Sequence, residues 1–168
     1  MVGTIDETDI TILRLLQHNS RLTNKEIADK INRSSTAVVQ RIKRLEEDGF
    51  IVSYTAILNK DLIEKNLVAI VGVELKEQSN EALLGFAREC TQFHEVMECY
   101  HVTGDYDYIL KIVTKDLKEY QAFLVEKLSA LPDIGGMRSF VVLKENKVET
   151  TFSLKTDKKS RKPSRSSH

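Results

Sequence analysis

The stretch that decides the fold runs from residue 23 to residue 49 and reads TNKEIADKINRSSTAVVQRIKRLEEDG. Thr23 and Glu26 have the spacing of a capping box, in which each side chain accepts from the backbone amide of the other. This box predicts a helix from Asn24 to Ile31. Residues 32 and 33, Asn-Arg, then predict a short turn, because asparagine tolerates the left-handed conformation.

A second helix is predicted after this turn, from Ser35 to Asp48, with Ser34 as its N-cap and Gly49 beyond its end. Its apolar residues recur at i, i+4 and i+7, which defines a face directed to a core. Those core positions are Val38, Ile42 and Leu45. At about 100° per residue, polar side chains point the other way, with Val39 at the margin. They are Thr36, Gln40, Lys43 and Arg44.

One more helix is predicted upstream, beginning near Asp6 and carrying Ile10, Leu13 and Leu16 on one stripe. Three short helices, of which the last exposes hydrogen-bond donors, are typical of a DNA-reading helix-turn-helix. An ordinary three-helix bundle with a solvated surface has the same spacing. Glu46 and Glu47 keep that alternative open, because the exposed face is not uniformly basic.

The composition allows two small domains rather than one large catalytic domain, since the chain has 168 residues and is 41% hydrophobic. No uncharged apolar run approaches the roughly 18 residues of a membrane span, so we expect a cytoplasmic protein with no membrane partner. Cys90 and Cys99 lack the CxxC spacing of redox or zinc sites and are interpreted as reduced thiols.

The formal net charge is zero, but the charge is distributed unevenly along the chain. Residues 1–60 hold nine basic and eight acidic residues, residues 61–154 hold ten and 16, and residues 155–168 hold six and one. The predicted DNA-binding part therefore has to concentrate its positive charge on one face, because phosphate contacts supply most non-specific affinity.

The rest of the chain predicts an α+β domain with the order βαββαβ, a ferredoxin-like arrangement. A connecting strand is expected from Phe50 to Leu58, and a tight hairpin at Gly104-Asp105. Further strands are predicted at 67–75, 96–103, 106–113 and 137–143, and helices at 79–92 and from Asp116 to Leu131, where Pro132 ends the last helix. Both faces of residues 67–73 are apolar, which indicates that a second copy covers the sheet in a homodimer.

The chain thus divides into four predicted segments: a helix-turn-helix domain at 1–52, a linker strand or hinge at 53–61, a ferredoxin-like sensing and oligomerisation domain at 62–154, and a basic tail at 155–168. The tail lacks the apolar residues needed to fold and is expected to be disordered. Two roles remain open for it, a solubilising end or additional non-specific DNA affinity.

The chain resembles the Lrp/AsnC family of leucine- and asparagine-responsive transcription regulators over residues 4–150. In the N-terminal part the resemblance rests on Ile5-Asp6, Asp9, Ile12-Leu13, Glu26-Ile27-Ala28, Arg41-Ile42-Lys43-Arg44-Leu45-Glu46 and Gly49-Phe50-Ile51. In the C-terminal part it rests on residues 98–108, ECYHVTGDYDY, on Leu131-Pro132 and on Phe140-Val141-Val142-Leu143.

This resemblance implies a winged helix-turn-helix linked to an αβ sandwich that dimerises and often assembles further, to an octamer. It also implies an amino acid or related metabolite bound between dimers, whose binding shifts assembly and DNA affinity. Two departures from the family pattern stand out. Asn32-Arg33 replaces a usual Gly-Leu, and Met137 and Ser139 stand where threonines are common.

The predicted DNA contacts divide into two groups on double-stranded DNA. Phosphates are assigned to Arg33, Ser34, Ser35 and Arg44, and base edges to Thr36, Val39, Gln40 and Lys43.

The predicted effector site comes from the family resemblance, which implies that Asp107 contacts the amino group of the ligand. The residues assigned to it are Val102, Thr103, Gly104, Asp105, Tyr106, Asp107, Leu117, Phe140, Val141 and Val142. A Gly-Asp hairpin is also an ordinary turn, and Asp107 also fits a solvated strand position.

Two other functions compete with DNA-binding regulation. An enzyme is the main alternative because His94, Glu95, Glu98, Cys99 and His101 lie close in sequence. Strand alternation splits that set between two faces, however, so we expect neither catalysis nor a metal or other cofactor. A stand-alone effector domain without DNA binding is the third hypothesis, and the intact N-terminal helices argue against it.

Overall fold

The computed structural model describes residues 4–155, and these form two compact units. The first, called the head here, combines residues 4–56 with residues 148–155. The second, called the sheet domain, is residues 57–147. Residues 156–168, which hold nearly all of the predicted basic tail, lie outside the described part. No helix in the part of the chain described here is long and apolar enough to cross a membrane.

The head contains the three predicted helices, α1 (Glu7–His18), α2 (Asn24–Ile31) and α3 (Ser35–Glu47). The predicted capping box is confirmed, since the Thr23 N–H donates to Glu26 Oε2 at 2.7 Å and the Glu26 N–H donates to Thr23 Oγ1 at 3.2 Å. Hydrogen bonds from the Thr23 N–H and then from the Thr23 hydroxyl to the Glu26 carboxylate hold the pKa of this exposed carboxyl below its ordinary value. The turn is also as predicted, because Asn32 takes the left-handed conformation with φ 52°.

Apolar side chains from all three helices build the core of the head. Its fully or almost fully buried members are Ile12, Leu13, Ile27, Ala28, Val38 and Leu45. A second capping box starts α1, with the Asp9 N–H donating to Asp6 Oδ1 at 2.8 Å and the Asp6 N–H donating to Asp9 Oδ2 at 3.0 Å. Local caps and the core stripe together fix where α3 lies on α1 and α2.

Residues 148–155 belong to the head, whereas residues 148–154 were predicted to belong to the second domain. Leu154 packs against the head core. Gln17 on α1 binds the backbone of Phe152 twice, accepting from its N–H at 2.7 Å and donating to its C=O at 3.3 Å. Arg14 donates to the Leu154 carbonyl. Side chains from α1 thus hold a segment that is distant in sequence, which local sequence patterns do not reveal.

The predicted connecting strand from Phe50 to Leu58 is wrong for the described chain, in which this segment forms no strand. The Ile51 N–H donates to the Leu45 carbonyl at 3.0 Å. This hydrogen bond belongs to the C-terminal end of α3 and not to a pair of strands. Beyond it, Val52 and Ile57 are largely exposed.

The sheet domain has the predicted order βαββαβ. Its elements are β1 (Leu67–Leu75), α4 (Asn80–Cys90), β2 (Val96–His101), β3 (Tyr108–Thr114), α5 (Leu117–Ala122) and β4 (Ile134–Val141). The strands pair antiparallel in the order β2-β3-β1-β4. This is the ferredoxin-like α+β fold that the sequence predicted.

One face of this sheet carries the core. Alternate β1 residues Ala69, Val71 and Val73 pack with Phe86 of α4 and Tyr120 of α5. The opposite face is only partly covered within the chain, since Tyr100 and Phe140 are about half exposed there. Cys90 is buried and Cys99 partly buried, both as free thiols.

Two elements differ in detail from the prediction. The last helix is not one regular α-helix, because α5 continues as a π turn (Phe123–Lys127) and a 3-10 turn (Leu128–Ala130). Phe123 and Leu128 are both buried, and a five-residue spacing suits one wide π turn better than an α turn. The Gly104-Asp105 hairpin is not a two-residue turn either, since a six-residue loop, 102–107, joins β2 to β3.

Candidate functional site

The exposed face of α3 brings together most of the residues predicted to contact DNA. The side chains on this face that are exposed to solvent are Ser35, Thr36, Val39, Gln40 and Lys43. Ser34 caps the helix by accepting from the Ala37 N–H at 3.2 Å, and Arg33 is exposed in the turn before it. The helix N-terminus, with its free amides and positive dipole end, therefore lies beside a polar stripe.

Arg44 is the exception among these residues. Its guanidinium binds the carboxylate of Asp9, which is fully buried, although the Arg44 side chain remains about half exposed. Arg41 of the same helix binds Asp9 Oδ1 and Asp6 Oδ2, each at 2.7 Å. Arg44 is thus part of a structural ion-pair cluster joining α3 to α1, and not simply a phosphate contact.

The charges of this cluster, Asp6, Asp9, Arg41 and Arg44, stabilise one another. Burial alone raises the pKa of Asp6, but hydrogen bonds from the Asp9 backbone and from Arg41 outweigh it and leave that pKa lowered. Hydrogen bonds to Asp6 and Asp9 raise the pKa of Arg41 above its ordinary value. Arg41 could not be assigned to this cluster from the sequence, because only the contact of its side chain with α1 reveals this role.

A groove of about 320 Å³ lies beside the α3 stripe, and Val39, Lys43 and Tyr54 are among the residues that line it. The Tyr54 hydroxyl donates to Glu46 Oε1 at 2.8 Å. Burial, and then the hydrogen bond and negative charge of Glu46, raise the pKa of Tyr54 to about 12. Tyr54 therefore stays a neutral hydrogen-bond donor at the edge of the stripe at neutral pH.

In the sheet domain, a cavity of about 520 Å³ lies between the loop before β3 and strand β4; it is called the β4 cavity here. Its lining residues are Glu74, Asp105, Tyr106, Gly136, Met137 and Arg138. Only Asp105 and Tyr106 belong to the effector residues predicted from sequence. Glu74 and Arg138 were missed, although the β1–β4 register, which pairs Gly72 with Arg138 and Glu74 with Gly136, brings both to this place.

Asp107 does not line the β4 cavity. Its carboxylate accepts from the Leu75 N–H at 2.8 Å and from Gln78 Nε2 at 2.9 Å, and its own N–H donates to the Val73 carbonyl at 2.9 Å. Asp107 thus fastens the loop to the end of β1. The predicted contact between Asp107 and a ligand amino group stays a prediction.

The other predicted effector residues are spread over the sheet domain. Val102, Thr103 and Gly104 lie in the same loop, with the Val102 N–H donating to the Asp107 carbonyl at 3.0 Å. Leu117 starts α5 and is largely exposed. Phe140 and Val141 are the last residues of β4, and Val142 follows the strand. None of these other predicted residues lines the β4 cavity.

The described residues contain no group of three or more His, Cys, Asp or Glu side chains placed to hold a metal ion. The two glutamates among the potential ligands between His94 and His101 form ion pairs. Glu95 pairs with Lys127 at 2.6 Å and Glu98 with Lys111 at 3.2 Å.

A helix-turn-helix head with an exposed polar reading helix, together with an αβ domain that has a charged cavity, defines a DNA-binding transcription regulator with a ligand-binding domain. Family models agree with both halves. Residues 5–52 match a winged helix-turn-helix DNA-binding domain, and residues 68–152 match the Lrp/AsnC ligand binding domain. The chain belongs to the Lrp/AsnC family, as its sequence predicted.

Individual relatives extend over nearly the whole chain. The Bkd operon transcriptional regulator of Pseudomonas aeruginosa is 36% identical over 85% of this chain and 94% of its own length. The leucine-responsive regulatory protein of Escherichia coli K12 is 34% identical over 90% of this chain and 93% of its own. These relatives are regulators and not enzymes.

Solved structures show the same architecture. A transcriptional regulator from Neisseria meningitidis, crystallised as a complex with L-Met, matches with a TM-score of 0.85 and 32% identity, covering 89% of this chain and 97% of that one. Escherichia coli AsnC shares the fold with a TM-score of 0.82 at 21% identity, covering 89% of this chain and 99% of that chain.

Proposed function

We propose that this protein is a sequence-specific transcription regulator of the cytoplasm that reads double-stranded DNA as a homodimer, with α3 of each protomer in a major groove. The observation that carries this proposal is the exposed stripe of Thr36, Val39, Gln40 and Lys43 on α3. Arg33, Ser34 and Ser35 lie at its N-terminal end, where phosphates bind well. The Arg44 guanidinium is paired with Asp9, so Arg44 is proposed to contact phosphate only through the exposed half of its side chain.

Gln40 gives the sharpest test of base reading, because an amide that binds a base edge is worth about 1–3 kcal/mol of discrimination. Gln40→Ala is expected to weaken binding to the gene's own upstream DNA by about tenfold or more, while binding to random DNA stays unchanged. Fluorescence anisotropy at several salt concentrations measures both affinities. Gln92→Ala, an exposed glutamine of the sheet domain, is the matched control. Equal binding of both DNAs by the wild type would refute specific reading.

The proposed effector is an α-amino acid that binds in the β4 cavity. Arg138 matches the α-carboxylate, because guanidinium groups form paired hydrogen bonds with carboxylates, and Glu74 or Asp105 matches the α-amino group. The L-Met complex of the Neisseria regulator supports this chemistry. Met137 adds an apolar wall that favours an apolar side chain on the ligand.

Calorimetric titration with a panel of L-amino acids tests the site. Arg138→Gln is expected to abolish the heat of binding for the best ligand, whereas Arg88→Gln, an exposed arginine on α4, leaves it unchanged. The amidated form of the same amino acid should not bind, since it lacks the carboxylate. Binding that survives in Arg138→Gln with unchanged affinity would place the effector elsewhere.

The last part of the proposal couples the effector to assembly. We propose that the protein forms dimers that assemble further, up to an octamer, and that the ligand binds between two dimers. Ligand binding would then change the assembly and with it the number of DNA half-sites that one oligomer binds. The half-exposed Tyr100 and Phe140 support an interface, because a partly apolar sheet face is usually covered. Light scattering with and without the ligand measures the mass change.

A further inference from the structure

The two cysteines of the chain lie next to each other in the sheet domain. Cys90 is the last residue of α4 and is fully buried, whereas Cys99 lies in β2 and is partly buried. Cys99 packs against the core cluster that contains Cys90. The two side chains are hydrogen-bonded to each other, and both are free thiols. Neither the proposed DNA binding nor the proposed amino-acid binding uses this contact.

The packing of α4 on the sheet explains why these two thiols meet. Phe86 and Cys90 are four residues apart and so lie on one face of α4. The ring of Phe86 lies 4.8 Å from that of Tyr108 in β3, and the ring of His101 in β2 stacks on Tyr108 at 5.1 Å. Residues two apart on a strand share a face, so Cys99 lies on the same face of β2 as His101. The face of α4 that carries Cys90 therefore packs on the face of the sheet that carries Cys99.

The two thiols differ in their chemistry. The hydrogen bond with Cys99 and then burial raise the pKa of the Cys90 thiol. The hydrogen bond with Cys90 outweighs burial at Cys99 and lowers the pKa of that thiol. Because the thiolate is the nucleophile, Cys99 is the partner suited to attack an oxidant, and it is also the partner with access to solvent. Cys90 keeps its proton next to it.

We infer that Cys90 and Cys99 form a disulfide within one chain when hydrogen peroxide oxidises the protein. The Cys99 thiolate attacks one oxygen of the peroxide, so that an S–O bond forms, the O–O bond breaks and hydroxide leaves. The Cys90 sulfur then attacks the resulting sulfenic acid. The S–S bond forms, the S–O bond breaks, and the Cys90 proton leaves with the hydroxyl group as water. The peroxide gains two electrons, one from each sulfur.

The disulfide joins α4 to β2, which is an edge strand of the sheet. Two residues after Cys99, β2 ends and the loop 102–107 begins, which carries Asp105 and Tyr106 of the β4 cavity. In cytosolic proteins such disulfides are usually transient and serve catalysis or redox sensing. The pair is therefore a reversible modification site beside the proposed ligand-binding loop.

Oxidation of the reduced, full-length protein with excess hydrogen peroxide tests this inference. Free thiols are then blocked with N-ethylmaleimide in denaturant, and the chain is digested with a glutamate-specific protease, which cuts between the two cysteines after Glu95 and Glu98. Mass spectrometry is expected to show the peptide of residues 90–95 joined by a disulfide to the peptide that begins at Cys99. Maleimide labelling of both cysteines should be lost, and dithiothreitol should restore it.

Two serine variants are the matched controls. Cys90→Ser is expected to stop at the sulfenic acid of Cys99, which dimedone labels, because the second thiol is missing. In Cys99→Ser the buried Cys90 is expected to stay reduced. The inference is overturned if the wild type keeps both thiols, or if Cys99 is oxidised to sulfinic acid without a link to Cys90. A disulfide between two chains, seen on a non-reducing gel, also overturns it. The wild-type digest decides the question even if a variant does not fold.

Discussion

Replacing Asp9 by alanine is expected to destabilise the head by about 3 kcal/mol. Asp9 is fully buried and accepts from Arg41, from Arg44 and from the Asp6 N–H, so its loss breaks the ion pairs between α3 and α1 and one half of a capping box. The value lies at the lower end for a broken buried pair, because the stranded arginines are already partly exposed. DNA binding should weaken as the reading helix loosens.

Hydrogen exchange followed by mass spectrometry measures this effect locally, which matters because the two units need not unfold together. Peptides covering α3 should lose protection by about 100-fold in Asp9→Ala, while peptides covering β1 and β3 keep theirs. Asp29→Ala, an exposed aspartate on α2, is the control. Unchanged protection of α3 in Asp9→Ala would show that the cluster contributes nothing to the docking of the reading helix.

The local structure of the head was predictable because its signals lie within one turn of the residues they control. Thr23 and Glu26 are three residues apart, and their reciprocal hydrogen bonds begin α2 where the sequence indicated. Asn32 takes the left-handed conformation predicted for it, because the chain turns there between two helices. Such features need no knowledge of the distant chain.

The features that the sequence did not reveal depend on side chains that meet across long separations. Arg44 points away from the core stripe of α3 and so fits a phosphate contact, but Asp9, 35 positions earlier, takes its guanidinium. Residues 152–154 are predicted to end the second domain, yet Gln17 binds Phe152 and Arg14 binds Leu154, and both of these side chains lie on α1. No periodicity within either segment distinguishes these outcomes.

The lining of the β4 cavity, the proposed effector site, was only partly predictable for the same reason. Asp105 and Tyr106 could be found because they lie in a loop with a recognisable turn. Arg138 and Glu74 join them through the register of β4 on β1, which is set by the whole sheet. Asp107 is predicted to contact the ligand, and that contact stays a prediction; the sequence did not indicate that its carboxylate also accepts from the Leu75 N–H and from Gln78 Nε2.

Substitution of Gly72, in the middle of β1, is the second change that we expect to lower stability strongly. It is buried and pairs with Ile109 on one side and Arg138 on the other. A Cβ placed on it would lie 2.8 Å from three ring atoms of Tyr106, closer than real Cβ contacts come. Gly72→Ala is therefore expected to cost about 1–3 kcal/mol of stability in the sheet domain, and Gly72→Val more. Because Tyr106 lines the β4 cavity, amino-acid binding should weaken too.

A double-mutant cycle separates this steric effect from a general intolerance of the strand. If the Tyr106 ring is the obstacle, Gly72→Ala should cost much less in a Tyr106→Ala background, with a coupling of at least about 0.5 kcal/mol. Gly85→Ala is the matched control, since it lies inside α4 with nothing within 4 Å of its added Cβ, and alanine is the better helix former. Urea unfolding monitored in the sheet domain gives the free energies of all these variants. If Gly72→Ala lowers the free energy of unfolding equally in the wild type and in Tyr106→Ala, the close approach of the Tyr106 ring is not the cause. The strain would then come from the β1 backbone itself.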